Sequence, residues 1–467
     1  HQLKNYVGTN QGGASSNAQG SQRGEMGIEL SRRFPRAKFL YVSATAATQA
    51  HNMAYMDRLG LWGPGAPFTD FAAFLNAMQA GGLGSMEMLA RDLKAVGNLV
   101  SRQLSFKGVE YDYVDHTLNE YQIEQYNKAG ELWSELIKAM PEAESRANQK
   151  RATGRYTQFY SAQQRFFLLL MTTYQIPAML ADIDKSLAMG MAPVINILTT
   201  NESEMIRQAA RLEAAGKSLD DLDLGPRAML RTYIEKYFPV EEMIDERDPL
   251  NLGKTIKVPS GQLNQANVQK QQELLDKLEY LNLPDNPLDL IAEHFGGWGR
   301  IAEVSGRNER IDNGKLVRRK TVGKRSGETI DNAELRRFQT GLADVLIITA
   351  KGAAGISAQA EIGLPTQYKR RVGYSLQVSW SADAQMQWFG RTHRSNQMSA
   401  PIYKLVRTNV AGQKRQTNAV ARRLASLGAM SQGNREALGG NLFEIEDLTD
   451  GYGKAALVSL AHDMSNG

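Results

Sequence analysis

Short apolar runs return along this chain, each separated from the next by a stretch with helical spacing. The runs over 38–42, 193–198, 300–304, 344–349, 372–378 and 402–407 have the length and character of buried strands. Around 26–33, 52–58, 68–79, 86–95, 334–340 and 382–389 the spacing is helical. Parallel strands need long crossovers, usually helices, so this alternation predicts an α/β fold with a parallel sheet covered by helices. A further strand over 109–114 alternates apolar and acidic residues, and two long helical stretches follow at about 120–140 and 155–180. The segment 202–293 is mostly helical in pattern, broken near Gly225, 249–253 and 284–287, and reads as an insertion between strands. The coarse expectation is two α/β units, 1–150 and 151–467, the second with a mostly helical insertion at about 200–295.

Composition narrows the class without naming a chemistry. The 467 residues leave room for two or three domains, and 42% hydrophobic with 22% charged residues is ordinary for a globular protein. No apolar run approaches the roughly 18 residues that span a bilayer; the one over 166–171 reads as core helix. The lack of cysteine excludes disulfides and thiolate–metal sites, and the six histidines show no ligand spacing, which argues against structural zinc. A net charge of +5 permits a polyanionic partner. The stretch 8–24, rich in Gly, Ser, Asn and Gln, reads as a loop. The stretch 315–325 holds six basic residues and no acidic one, which reads as a solvated loop or a nucleic-acid contact.

The sharpest chemical signal is Gln387-Trp388-Phe389-Gly390-Arg391-Thr392-His393-Arg394. Two arginines three apart share a helix face, beside a glycine that admits a phosphate or another backbone. A buried guanidinium pair is costly without anions to meet it, and the phosphates of a nucleoside triphosphate meet that need. An arginine so placed can supply about 10³–10⁵ in rate. His393 points elsewhere on the helix and is expected to be structural. A lone R-x-x-R would be a solvated helix end. Here it closes an ordered series: Ser43-Ala44-Thr45 after a strand, the strand over 193–198, and the small-residue loop 351–357 after another strand. No phosphate-cradling loop accompanies them. Gly216-Lys217-Ser218 has Arg211 where the first glycine must stand, and Gly253-Lys254-Thr255 has Asp248 there.

That order of signals is similar to superfamily 2 helicases and translocases, in which two RecA-like domains clamp ATP in their cleft. Longer stretches narrow the match: 42–48 (V-S-A-T-A-A-T), 52–56 (N-M-A-Y-M), 58–63 (R-L-G-L-W-G), 102–108, 164–167 (Q-R-F-F), 380–383 (W-S-A-D), 389–397 (F-G-R-T-H-R-S-N-Q) and 422–430 (R-R-L-A-S-L-G-A-M) resemble the strawberry notch family. The resemblance runs from 1 to roughly 456 and thins through 200–290. It implies two RecA-like P-loop NTPase domains, the first lacking its beginning, and the C-terminal portion of an ATP-dependent DNA helicase or translocase. His1-Gln2-Leu3-Lys4-Asn5 resembles the tail of the family's D-E-x-H motif. The Walker A loop and the acidic pair that holds magnesium are then expected in an N-terminal remainder of the same protein. ATP and Mg2+ would be bound mainly there, leaving this chain inactive as an ATPase by itself.

By the same resemblance, Ser43 and Thr45 would couple nucleotide and nucleic-acid sites, and Thr199 would contact backbone phosphates. The loop bearing Lys351, Gly352, Gly355 and Ser357 would face nucleic acid and ATP. Arg391 and Arg394 would meet the phosphates beside Gly390, with Gln387 bracing the cleft. Lys315, Arg318, Arg319, Lys369, Arg370 and Arg371 are expected backbone contacts. DNA is the expected polymer, with RNA as the alternative. A compact 200–290 in place of the long acidic insertion of animal members points to a bacterial, plasmid or phage member, acting in the cytoplasm or carried in a phage virion. Some microbial relatives are fused to an adenine methyltransferase and act in DNA modification or antirestriction, which adds a methyltransferase domain or phage subunits as expected partners. The competing expectation is a catalytically inactive helicase-fold scaffold, or a nucleic-acid-binding module, within a larger complex.

Overall fold

The computed structural model describes residues 22–42, 50–101, 106, 108–147, 155–197, 225–247, 255–284, 286–305, 307–312, 315–321, 323–349, 356–377, 382–432, 455 and 459. The first elements are α1 (Gln22–Arg33), two 3-10 turns (Ala50–Tyr55 and Asp57–Leu59), α2 (Phe71–Ala95), β1 (Glu110–His116), α3 (Glu120–Arg146), α4 (Arg155–Ala188) and β2 (Ala192–Ile197). Next come α5 (Pro226–Tyr237), β3 (Glu241–Arg247), β4 (Thr255–Leu263), α6 (Gln265–Glu279), α7 (Pro287–His294) and β5 (Ile301–Val304). The last are β6 (Glu309–Asp312), β7 (Lys315–Arg318), α8 (Ile330–Thr340), β8 (Val345–Thr349), β9 (Arg371–Ser375), α9 (Ala382–Thr392), β10 (Ile402–Thr408) and α10 (Ala411–Gln432).

Six strands form one parallel sheet in the order β1–β10–β9–β2–β8–β5. Alternate side chains of each strand face opposite sides, and both sides are covered. On one side Ile195, Ile347 and Val372 pack with Ile176, Met179 and Ile183 of α4 and Leu288 and Ile291 of α7. On the other, Val194, Leu346 and Ile348 meet Phe338 of α8, while Tyr403 and Leu405 meet Trp388 and Phe389 of α9 and Leu424 of α10. Full burial of such a side chain contributes about 1.5–3 kcal/mol, which explains why the central strands read as unbroken apolar runs. The predicted RecA-like α/β architecture is thus realised as a three-layer unit.

Helix α4 belongs to two cores. Its second half covers the sheet, while Phe159, Phe166 and Leu170 of its first half join Trp133 of α3, Tyr233 of α5 and Leu274 of α6 in a helical bundle. Over Gln158–Ala188 it is long and apolar enough to cross a membrane, which the short apolar run over 166–171 did not lead one to expect; most of its apolar stretch is buried in protein. The residues from 22 to 101 build a separate small core around Ile28, Met53, Phe74 and Trp62, and their helix α2 lies against α10.

Several expectations change. β1, expected in the first unit, pairs with β10 along its whole length, from Glu110↔Ile402 to His116↔Thr408. β1 thus joins the sheet formed by the later strands, and α3 packs with the first half of α4. The expected strand over 38–42 forms no ladder. Leu40 and Val42 are exposed, because no strand lies beside this segment among the described residues. The helices expected over 68–79 and 86–95 are one element, α2, kinked at Gly82 (φ 57°, ψ −140°). The helix expected over 52–58 is two 3-10 turns. Within the mostly helical insertion, β3 and β4 make an antiparallel hairpin. Its strands are largely exposed, so no apolar periodicity marks them. The basic stretch 315–325, expected as a loop, begins with β7, which pairs antiparallel with β6.

Candidate functional site

Helix α9 is held against β9 and β10 with little freedom. A Cβ on Gly373 would lie 2.8 Å from Cδ1 of Tyr403 and 3.0 Å from Cη2 of Trp388, so glycine is what lets these rings settle on the sheet. The Phe389 and Tyr403 rings stand 4.2 Å apart, and the Tyr403 hydroxyl donates to the Phe389 carbonyl at 2.6 Å. Nearer the helix start, buried Gln385 donates from Nε2 to Ser375 Oγ at 3.0 Å. The end of the helix is also tied to the segment that follows β8, since the Ala358 amide donates to the Arg391 carbonyl at 2.7 Å.

On this fixed frame the two arginines are placed differently. Arg394 donates from Nε to the Gly390 carbonyl at 2.8 Å and from Nη2 to the Ile356 carbonyl at 3.0 Å, latching the helix end to the same segment. Arg391 is half-buried, and its Nε is buried with no partner among the described residues. Burial, and after it the charge of Arg394, pull the Arg391 guanidinium below its ordinary pKa. Among the described residues no carboxylate pairs with either side chain. A partly desolvated, doubly cationic spot with an orphaned donor is unfavourable as it stands, and an anion relieves it. The donor set fits phosphate oxygens.

The other predicted residues fall variously. Gly390 is open, a Cβ there meeting nothing within 4 Å, so its place is not dictated by tight packing within the chain. Gln387 is exposed. Ser357 is half-buried, and its carbonyl accepts from Gln339 Nε2 at 2.8 Å. His393 is buried against Phe106, ring centroids 4.9 Å apart, with Nδ1 3.0 Å from Gln397 Nε2, a structural placement. His1, Ser43, Thr45, Thr199, Lys351, Gly352 and Gly355 lie outside the described residues.

Two of the expected nucleic-acid contacts are corrected. Arg371 is 1% exposed, lies under Phe338 with its guanidinium carbon 4.9 Å from the ring, and donates to the carbonyls of Ala358, Gln359 and Lys369. Burial draws its pKa down to about 10. Arg319 is 3% exposed and held in a polar cluster around Glu303. Neither can reach a polymer. Arg370, just before β9, binds Glu110 Oε1 at 2.7 Å and the carbonyls of Ala400 and Gly108, tying the start of the edge strand β1 to its neighbours. Arg318 and Lys369 are exposed. Sequence reasoning missed the Glu303–Arg307–Arg319 cluster; its one visible sign is a glutamate inside the otherwise apolar strand β5.

Residues 286–467, which contain β5 onward and both arginines, match the family model described as the C-terminal domain on strawberry notch homologue. Residues 1–128 match the model of P-loop containing NTP hydrolase pore-1. Protein strawberry notch homolog 1 of Rattus norvegicus is 30% identical over 516 residues, covering 94% of this chain and 40% of the relative. Protein strawberry notch homolog 2 of Homo sapiens is 32% identical over 522 residues, covering 95% and 38%. This chain belongs to the strawberry notch family. Protein FORGETTER 1 of Arabidopsis thaliana is similar to it as well, 30% identical over 555 residues with 94% of this chain and 42% of the relative covered. The chain spans about two fifths of the length of these relatives. Strawberry notch membership makes it helicase-like and of the P-loop NTPase class.

Proposed function

We propose that this chain is the nucleic-acid-gripping, phosphate-clamping part of an ATP-dependent DNA translocase or helicase. The observation that carries the reading is the half-buried Arg391, whose Nε has no partner among the described residues and which stands beside a second, carboxylate-free arginine. In this reading Arg391 meets the phosphates of ATP, and Arg394 acts by positioning, fixing the helix end to the segment after β8. Magnesium-bound ATP supplies the phosphoanhydride whose cleavage drives movement. Because neither G-K-[ST] triplet of the sequence has the first glycine of a phosphate loop, that loop is proposed to come from sequence beyond these 467 residues. The polymer is gripped through its phosphates, so binding is largely sequence-independent and weakens steeply with salt.

The test on the chain itself is thermal unfolding with inorganic tripolyphosphate or ATP. Binding to the folded state raises the melting temperature by mass action, and Arg391→Ala is expected to erase the rise. An equal rise in the variant removes Arg391 from the phosphate site and favours the inactive scaffold.

A further inference from the structure

The turn after β5 leads into a hairpin whose charges are sorted by burial. Residues 307–325 contain eight basic and two acidic side chains. Part of that charge is neutralised inside the protein. The Glu303 carboxylate accepts from Arg307 Nε at 2.5 Å and Nη2 at 2.8 Å, and from Ser305 Oγ at 2.5 Å. Arg319 comes in from the far strand, its Nη2 donating to the Glu303 carbonyl at 2.5 Å and its Nη1 to the Arg307 carbonyl at 2.7 Å. Arg307 and Arg310 both lie over Trp298, their guanidinium carbons 5.1 and 4.8 Å from its ring centroid. Both strands of the hairpin are therefore anchored at the root.

With Arg319 turned inward, strand alternation turns its neighbours outward. Arg318 and Lys320 are exposed, as are Lys324 and Arg325 in the turn that follows. Glu309 stands opposite Arg318 in the ladder, but no ion pair joins them. Glu328 is held by Arg336 at 2.8 and 3.0 Å and accepts from the Arg325 backbone amide at 2.9 Å, which fixes the turn and leaves the Arg325 side chain outward. The side chains of these four cations thus face solvent, and none of them forms an ion pair among the described residues. The root of the hairpin also touches the end of β8, where Thr349 Oγ1 donates to the Ser305 carbonyl at 3.0 Å.

We propose that this hairpin and the following turn form a grip for a nucleic-acid backbone, with Arg318, Lys320, Lys324 and Arg325 meeting successive phosphodiesters. A rigid row of such cations suits a polyanion of regular charge spacing, and phosphate binding of this kind carries no sequence information. The inference rests on the proposed nucleic-acid partner and assigns where on the chain it is held.

The experiment compares the 467-residue chain with the variant R318E/K320E/K324E/R325E by fluorescence anisotropy. The probes are a single-stranded oligodeoxynucleotide and its RNA counterpart, each over a salt series. The variant is expected to bind at least roughly tenfold more weakly, with a log–log salt slope shallower by about 0.7 for each phosphate it no longer neutralises. Its circular dichroism and melting temperature should match the parent, because the anchors Glu303, Arg307 and Arg319 are untouched. The swap R318K/R325K should retain binding. Unchanged affinity and slope in the reversed variant, with the parent binding either polymer, overturn the hairpin assignment alone. A parent that binds neither polymer overturns the hairpin assignment together with the nucleic-acid reading. The ratio of DNA to RNA affinity in the parent identifies the natural polymer.

Discussion

Arg391 and Arg394 lie close to one turn apart and carry the same charge, yet their surroundings separate them. Arg394, just beyond the end of α9, makes two hydrogen bonds to carbonyls, one to Gly390 of that helix and one to Ile356. Charge-assisted bonds of this kind contribute about 1.5–3 kcal/mol, so Arg394→Ala should lower stability by that order in a chemical denaturation series. Hydrogen exchange should quicken at 356–358 in the same variant. Arg391→Ala removes a half-buried charge whose Nε has no partner among the described residues, and its stability should equal or exceed that of the parent. If the two variants lose stability equally, the division of labour is wrong. Gly373→Ala is the packing counterpart: its Cβ would collide with Tyr403 and Trp388, an overpacking expected to cost about 1–3 kcal/mol. At this scale the sequence showed the pair and its likeness to a phosphate site. It could not show which arginine is free, because that depends on Ile356 and Ala358, more than thirty residues upstream.

Among the elements, the hairpin of β6 and β7 depends most on one buried carboxylate. Burial by itself would raise the Glu303 pKa, but Arg307 and then Arg319 reverse this and hold it below the usual value of 4.5. A depressed carboxylate stabilises the fold fully above its unfolded pKa and loses that contribution as pH falls through the folded value. The parent chain should therefore lose hairpin protection below about pH 4.5, as read by hydrogen exchange over 309–318. Glu303→Ala, which strands two buried guanidinium groups, should cost about 3–5 kcal/mol at neutral pH. Protection that is flat with pH, or a variant as stable as the parent, would contradict the anchoring role. Charge counting in the sequence treats all six basic residues of 315–325 alike, and only burial divides Arg319 from Arg318 and Lys320. Exposed β3 and β4 escape notice for a related reason: strands that bury neither face leave no period of two to read.

For the molecule as a whole, the sheet was the most legible feature. Five of its six strands are close to the apolar runs seen in the sequence, because a strand covered on both faces must be apolar throughout. β1 is legible as a strand but not as a member of this sheet, since its partner β10 lies almost three hundred residues later and local pattern cannot reveal that pairing. The segment 38–42 shows the converse, an apolar pattern without a neighbouring strand among the described residues. The central claim is that Arg391 completes a phosphate site used in turnover. It is tested most directly by nucleic-acid-stimulated ATP hydrolysis in the whole protein of which this chain is proposed to be part. Arg391→Ala should lower kcat by about 10³-fold or more while oligonucleotide affinity stays at the parent value. Turnover at the parent rate in that variant would contradict it.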